Sequence, residues 1–209
     1  MSILVCFALK EEAAPFHPVA AQHPGVFTLI VGIGAQNAEK SVRSFLPGFT
    51  PKLVLTCGFA GGLNPDLKIG DVAFETADEN LCAKLLAAGA KPAKFFCADR
   101  IATTVAEKKV LRERSGADVV EMESAAIQAV CAERGIPCAT VRVISDTADE
   151  DLPLDFNALA KPDKSLDFGK LAWAIIKSPG KIGALMRLQK KTSFAAGRLA
   201  DVLAKVVSG

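Results

Sequence analysis

The sequence predicts an α/β three-layer sandwich: a mostly parallel, twisted central sheet with helices on both faces. Two observations carry that prediction. Short apolar runs alternate with helix-patterned segments, with short loops between them, along most of the 209 residues. The composition is 50% hydrophobic, with a mean hydropathy of +0.29, yet only 6% aromatic and without tyrosine. Alanine and valine supply much of it, and such small side chains suit a core between helices and a sheet.

Ile3–Ala8 reads as the first strand, and Lys10 to about Phe16 as a short helix broken before Pro18. Val26–Val31 is a second strand, closed by Gly32-Ile33-Gly34; Ala35–Phe45 has helical spacing and ends at Pro47-Gly48. Lys52–Cys57 is a third strand, running into a glycine-rich turn at Gly58-Phe59-Ala60-Gly61-Gly62. Asp71–Glu75 reads as a strand after the turn at Lys68–Asp71, and Asn80–Ala88 as a helix up to Gly89. Lys94–Cys97 is a short strand, Thr104–Arg114 a charged surface helix and Asp118–Met122 a strand. Ser124–Arg134 is a helix closed by Gly135 and Pro137. Cys138–Ile144 is the strongest buried strand, interrupted by one arginine, Arg142.

The last forty or so residues change character. Leu166–Lys177 and about Ile182–Val207 read as helices separated by Ser178-Pro179-Gly180, rich in lysine and arginine and carrying an apolar stripe. They either pack on the sheet with a basic face in water or lie on a membrane surface or a lipid-like substrate. Without an internal repeat or a low-complexity linker, residues 1–209 are expected to form one domain with a helical tail from about 166.

A net charge of +2 is too small to suggest a nucleic-acid partner. No apolar run reaches the ~18 residues of a membrane span. Ile3–Leu9 leads into Lys10-Glu11-Glu12 without a basic leader or cleavage site, so it reads as a strand and the chain is expected to be cytoplasmic. Six cysteines without a C-x-x-C pair, and only two histidines, give no metal-ligand spacing; reduced core cysteines and no metal or other cofactor are expected.

In an open parallel sheet, ligands bind beyond the carboxyl ends of the strands. Glu11 and Glu12, Gly58–Gly62, Glu121-Met122-Glu123 and Ser145-Asp146 all follow predicted strands. Each has a simpler reading. The glutamates suit helix N-termini through the macrodipole, the glycines suit a tight turn, and Asp146 before Thr147 suits a helix cap. Gly32-Ile33-Gly34 lacks the third glycine of a dinucleotide fingerprint, because Asn37 stands there.

Val120-Glu121-Met122-Glu123-Ser124-Ala125-Ala126 followed by Arg142-Val143-Ile144-Ser145-Asp146-Thr147-Ala148-Asp149 resembles the paired signature of the nucleoside phosphorylase and nucleosidase superfamily. Leu9–Glu12, Gly32–Gly34 and Gly58–Leu63 fall in the matching order, so the resemblance covers about residues 1 to 150. It is closest in style to methylthioadenosine/S-adenosylhomocysteine nucleosidases and hopanoid-associated phosphorylases. Asp99–Thr104, Leu152-Pro153 and the helical tail look more like the latter.

The resemblance implies the nucleoside phosphorylase-like fold and cleavage of the N-glycosidic bond of a purine nucleoside. A purine anion leaves poorly unless a ring nitrogen is protonated, which calls for a carboxylic acid whose burial favours the protonated form. By resemblance Asp146 is that acid, at N7, with Ser145 orienting it. Glu123 accepts hydrogen bonds from the ribose hydroxyls, Met122 packs under the sugar, and Glu121 lines the site. Phe59, Ala60 and Gly61 bring backbone close to sugar and nucleophile, and Ile101 and Ala102 form part of the base pocket. Glu12 resembles the base that activates water.

Water or phosphate is the nucleophile. Phosphate needs cationic groups; the glycine-rich stretch has no arginine, and a carboxylate at Glu12 repels phosphate, so hydrolysis is favoured. Phe59 departs from the nucleosidases, which often place a small hydroxyl residue there. Arg43 and Arg100 serve phosphate only if the fold or a neighbouring subunit brings them in. Phosphorolysis of a nucleoside such as adenosylhopane is the alternative, and a non-catalytic nucleoside-binding protein is the alternative of another class. The family implies a homo-oligomer, with a dimer favoured. The 5′ substituent stays open between methylthio, homocysteinyl, adenosylhopane and futalosine-type groups.

Overall fold

The computed structural model describes residues 2–161, 164 and 168–208. Four strands form the parallel centre: β1 (Ile3–Phe7), β2 (Val26–Ile30), β3 (Leu53–Gly62) and β8 (Cys138–Asp146), in spatial order β2-β1-β3-β8. β4 (Val72–Glu75) continues the sheet antiparallel to β8, and β5 (Lys91–Pro92) pairs parallel to β4. β6 (Phe95–Cys97) and β7 (Val119–Glu121) are parallel to each other, and β7 joins the end of β3 antiparallel. The sheet is therefore mostly parallel, as the alternating pattern predicts.

Side-chain alternation along β1 divides the core in two. Ile3, Val5 and Phe7 face a cluster with Leu55, Val141, Leu81, Leu85, Leu199 and Leu203. On that side lie α4 (Glu79–Ala87) and α9 (Ile182–Ser208). Leu4 and Cys6 face Val54, Ala38, Val42, Ile127, Val130 and Cys131. There α3 (Ala35–Phe45) and α6 (Ser124–Glu133) cover the sheet. Because β1 is buried on both faces, its sequence is a continuous apolar run.

Several expectations change. The glycine-rich stretch is not a turn: β3 runs through Gly62, and its register shifts between Ala60 and Gly61, where it leaves β8 for β7. Small residues tolerate that close crossing of three strands. β8 extends through Asp146, so this residue ends a strand and caps no helix. Beyond α1 (Lys10–Ala13), the chain enters a second helix, α2 (His17–Ala21), because Pro18 sits in its first turn, where a missing N–H costs nothing. β5 and the short α7 (Phe156–Leu159) have no counterpart in the sequence reading. α5 (Val105–Ser115) opens with a capping box between Thr104 and Glu107. It is not wholly a surface helix, since its Lys108 is completely buried.

The segment expected as a helix from Leu166 is described from Phe168, as α8 (Phe168–Lys177); residues 166 and 167 lie outside the described residues. α9 packs its carboxyl half on the sheet through Ala195, Leu199, Val202 and Val206, so the first of the two uses considered for the tail holds there. The six cysteines are free thiols. Among the described residues no cluster suited to a metal ion occurs, and no helix is long and apolar enough to cross a membrane.

Candidate active site

The crossing of β3, β7 and β8 builds the site. Gly61 is opposite both Asp146 of β8 and Val120 of β7, so the two halves of the sequence signature meet at one residue. They open into a pocket of about 270 Å³. Asp146, Glu12, Glu123, Met122, Glu121, Ser145, Phe59, Ala60, Gly61, Ile101 and Ala102 all line it. Local sequence places most of these only near a strand end, and Ile101 and Ala102 only through the resemblance; the fold brings them together.

Glu12 is 3% exposed. Its Oε2 accepts the Leu9 amide (2.9 Å) and its Oε1 the Phe59 amide (2.8 Å). Burial pushes its pKa up to about 7, although Arg142 and the two amides pull the other way and Glu123 adds to the rise. A carboxyl group poised there exchanges a proton at neutral pH. The helix-terminus explanation suffices for exposed Glu11 but not for Glu12, whose side chain points inward.

Arg142 is the residue that sequence reasoning undervalued. Its side chain is fully enclosed, and Nη2 donates to Glu121 Oε2 (2.7 Å) and Thr56 Oγ1 (3.0 Å). Nη1 lies 3.2 Å from Glu123 Oε2, an ion-pair distance at an angle that makes no hydrogen bond, so Nη1 and Nε lack hydrogen-bond partners among the described residues. Burial works against the guanidinium charge; Glu121, Glu123 and Glu12 together outweigh it and push its pKa up. The signal was present: a single arginine in an otherwise apolar strand has to find carboxylates.

Gly58 explains how these groups come so close. A Cβ there would lie 2.7 Å from Glu12 Oε1 and 2.8 Å from Arg142 Nη1, and its φ of +144° disfavours any other residue.

Glu121 and Glu123 divide the work. Glu121 accepts from the Glu123 and Ser124 amides (2.9 and 2.8 Å) and from Ser124 Oγ (2.5 Å) at the start of α6. Burial raises its pKa, but Arg142 and these donors more than compensate, leaving it below the usual carboxylate value. The helix-terminus reading is therefore right for Glu121, whose carboxylate is used up within the protein. Glu123 accepts the Gly34 amide (2.8 Å), so the Gly32–Gly34 turn serves a carboxylate and not a dinucleotide. Burial raises the Glu123 pKa despite Arg142.

Ser145 Oγ donates to Asp146 Oδ1 (2.7 Å). Asp146 Oδ2 lies 2.6 Å from Lys108 Nζ, which also donates to the Thr147 and Glu150 carbonyls (2.6 and 2.9 Å). The sequence names Ser145 beside Asp146 but no cation; the structure adds an ammonium partner from α5. Nothing local marks Lys108 among the charges of that helix. Leu188 and Thr192 of α9 also line the pocket.

Neither arginine considered for phosphate is free. Arg43 forms a surface network with Glu39 and Glu133 away from the pocket. Arg100 reaches the pocket but binds Glu107 at 2.5 Å.

A family model described as the phosphorylase superfamily matches residues 15–77 and 77–177. The chain belongs to this superfamily. It is 31% identical over 185 residues to a 5′-methylthioadenosine/S-adenosylhomocysteine nucleosidase of Actinobacillus succinogenes, an alignment covering 70% of this chain and 80% of that one. It is 28% identical over 158 residues to an aminodeoxyfutalosine nucleosidase of Campylobacter jejuni, covering 60% and 69% respectively. Futalosine hydrolase of Helicobacter pylori shares the fold, with a TM-score of 0.74, 20% identity and coverage of 100% of this chain and 97% of that one.

Proposed function

We propose that the chain hydrolyses the N-glycosidic bond of an adenine nucleoside and releases the free base. The observation that carries this reading is that Glu12 and Asp146 open into one pocket in contrasting environments. One is a carboxyl group titrating near 7 on two backbone amides, the other a carboxylate paired with an ammonium. Two carboxyl groups held differently can take different proton-transfer roles. Glu12 takes a proton from water. Asp146, oriented by Ser145, relays a proton from the Lys108 ammonium to the departing base, and Lys108 regains one from solvent as Glu12 gives up the proton it took from water. Glu123, with lone pairs left after the Gly34 bond, accepts from the ribose hydroxyls as positive charge develops on the sugar. Met122, Ile101 and Ala102 supply apolar packing, and Phe59 and Ala60 hold the backbone beside Glu12.

Hydrolysis is favoured over phosphorolysis because the guanidiniums near the site are engaged. Arg142 is fully enclosed by carboxylates and Arg100 is paired with Glu107. The similarity to nucleosidases supports the same reading.

A bulky 5′ substituent is the finer part of the proposal. A second cavity of about 1180 Å³ shares Leu9, Ile33, Ile101 and Met122 with the first and is bordered by Lys40, Lys161 and Lys164. Methylthio would occupy a small part of that space.

The test is release of free adenine in phosphate-free buffer from 5′-methylthioadenosine and from analogues with larger 5′ groups. Turnover without phosphate is expected, with larger groups preferred. Asp146→Asn should reduce kcat by about 10²–10⁴. Release that requires added phosphate would overturn hydrolysis, and an unaffected Asp146→Asn rate would remove Asp146 from the mechanism.

A further inference from the structure

We propose that α8 and the first turns of α9 form a docking surface for an anionic lipid bilayer. From residue 168 to 200 the chain carries Lys170, Lys177, Lys181, Arg187, Lys190, Lys191 and Arg198 and no acidic residue. The whole chain has a net charge of +2, so the rest of it is net acidic and the positive charge is concentrated here.

The same segment exposes large apolar side chains. Trp173 is 59% and Ile176 76% exposed, one turn apart on α8; Ile182 is 45% and Met186 57% exposed, one turn apart on α9. Farther along α9 the apolar stripe turns inward, with Ala195, Leu199, Val202 and Val206 buried on the sheet. The exposed half thus continues the amphipathic pattern, and among the described residues it joins no core cluster. Lys177 Nζ sits 3.6 Å over the Trp173 ring. A tryptophan with lysines around it on an amphipathic helix suits the boundary between headgroups and acyl chains.

Charge decides between a bilayer and a second copy of the chain. In a two-fold dimer through this face the patch would meet itself, setting lysines and arginines against one another. Lys191 has Glu150 and Arg198 has Asp201, but Lys181, Arg187 and Lys190 form no ion pair among the described residues. An anionic headgroup layer supplies the counter-charge over the whole face, and each added cation strengthens the attraction. Leu188 and Thr192, two and six residues beyond Met186, line the pocket. Docking would therefore bring the pocket close to the bilayer. The inference does not depend on which nucleophile the site uses.

The experiment sediments the full chain with vesicles of phosphatidylcholine alone or mixed with phosphatidylglycerol. Trp173, the single tryptophan, reports insertion by its emission. Binding to the anionic vesicles only, a blue shift of the emission and release at high salt are expected. Lys181→Glu with Arg187→Glu should weaken partitioning by more than about tenfold, and Ile176→Asp should abolish the blue shift while adenine release in solution is unchanged. Equal binding to neutral vesicles, or no binding to either, would overturn the proposal. Dimerisation in solution that Ile176→Asp abolishes would assign the face to a second copy instead.

Discussion

Arg142→Met removes a cation shared by Glu12, Glu121 and Glu123 while keeping most of the side-chain volume. Breaking a buried ion pair from one side costs about 3–5 kcal/mol, because the remaining charge stays desolvated. Three features place this variant near the lower end. Glu121 keeps its two amides and the Ser124 hydroxyl, Glu123 keeps the Gly34 amide, and Glu12 keeps the Leu9 and Phe59 amides. A loss of about 3 kcal/mol at pH 8 follows. The loss should depend on pH. Glu12 and Glu123 already have raised pKa values, with Arg142 pulling each down. Without the guanidinium both rise further. A carboxyl group with a raised folded-state pKa contributes stability that is present below its unfolded value and lost as pH rises through its folded value. The variant should therefore be closer to wild type at pH 5 than at pH 8. Urea denaturation followed by circular dichroism at the two pH values measures both effects. A loss below about 1 kcal/mol at pH 8, or the same loss at both, would refute the idea that Arg142 neutralises a buried cluster of acids.

The other predictions concern the neighbouring groups. With Glu12 as the base, kcat should fall about tenfold per pH unit below a pKa of about 7; Glu12→Gln should lose both the activity and that limb, and a flat wild-type profile from pH 5 to 8 would exclude the role. Gly58→Ala drives a methyl between Glu12 and Arg142, an overpacking cost of about 1–3 kcal/mol, and thermal unfolding unchanged from wild type would show that the cluster can yield. Lys108→Met leaves Asp146 and the Thr147 and Glu150 carbonyls without their ammonium; it should cost about 3 kcal/mol and lower kcat more than it raises KM, whereas a change in KM alone would separate Lys108 from the chemistry.

Much of this protein was legible in the sequence. β1 is a continuous apolar run because helices cover it on both faces, and that pattern alone predicted a mostly parallel sandwich. Glu12, Glu121–Glu123 and Ser145-Asp146 stood out because chemistry-bearing residues follow strand ends, and these residues line one pocket. Element type and strand-end chemistry are local properties, written in spacing and composition. The course of β3 was not legible. Its glycines suit a turn as well as a strand, and only pairing with both β8 and β7 selects the strand. Nor were the partners of the charged groups. Arg142 meets acids from α1, β7 and the start of α6, and Lys108 crosses from α5 to the end of β8. Such pairings depend on register between distant segments, since a buried charge is tolerable only where folding brings its counter-charge. The sequence by itself determined the layers and the candidate site residues; the tertiary structure decided which carboxyl group is paired, which is left to titrate near neutrality, and which is spent holding the fold together.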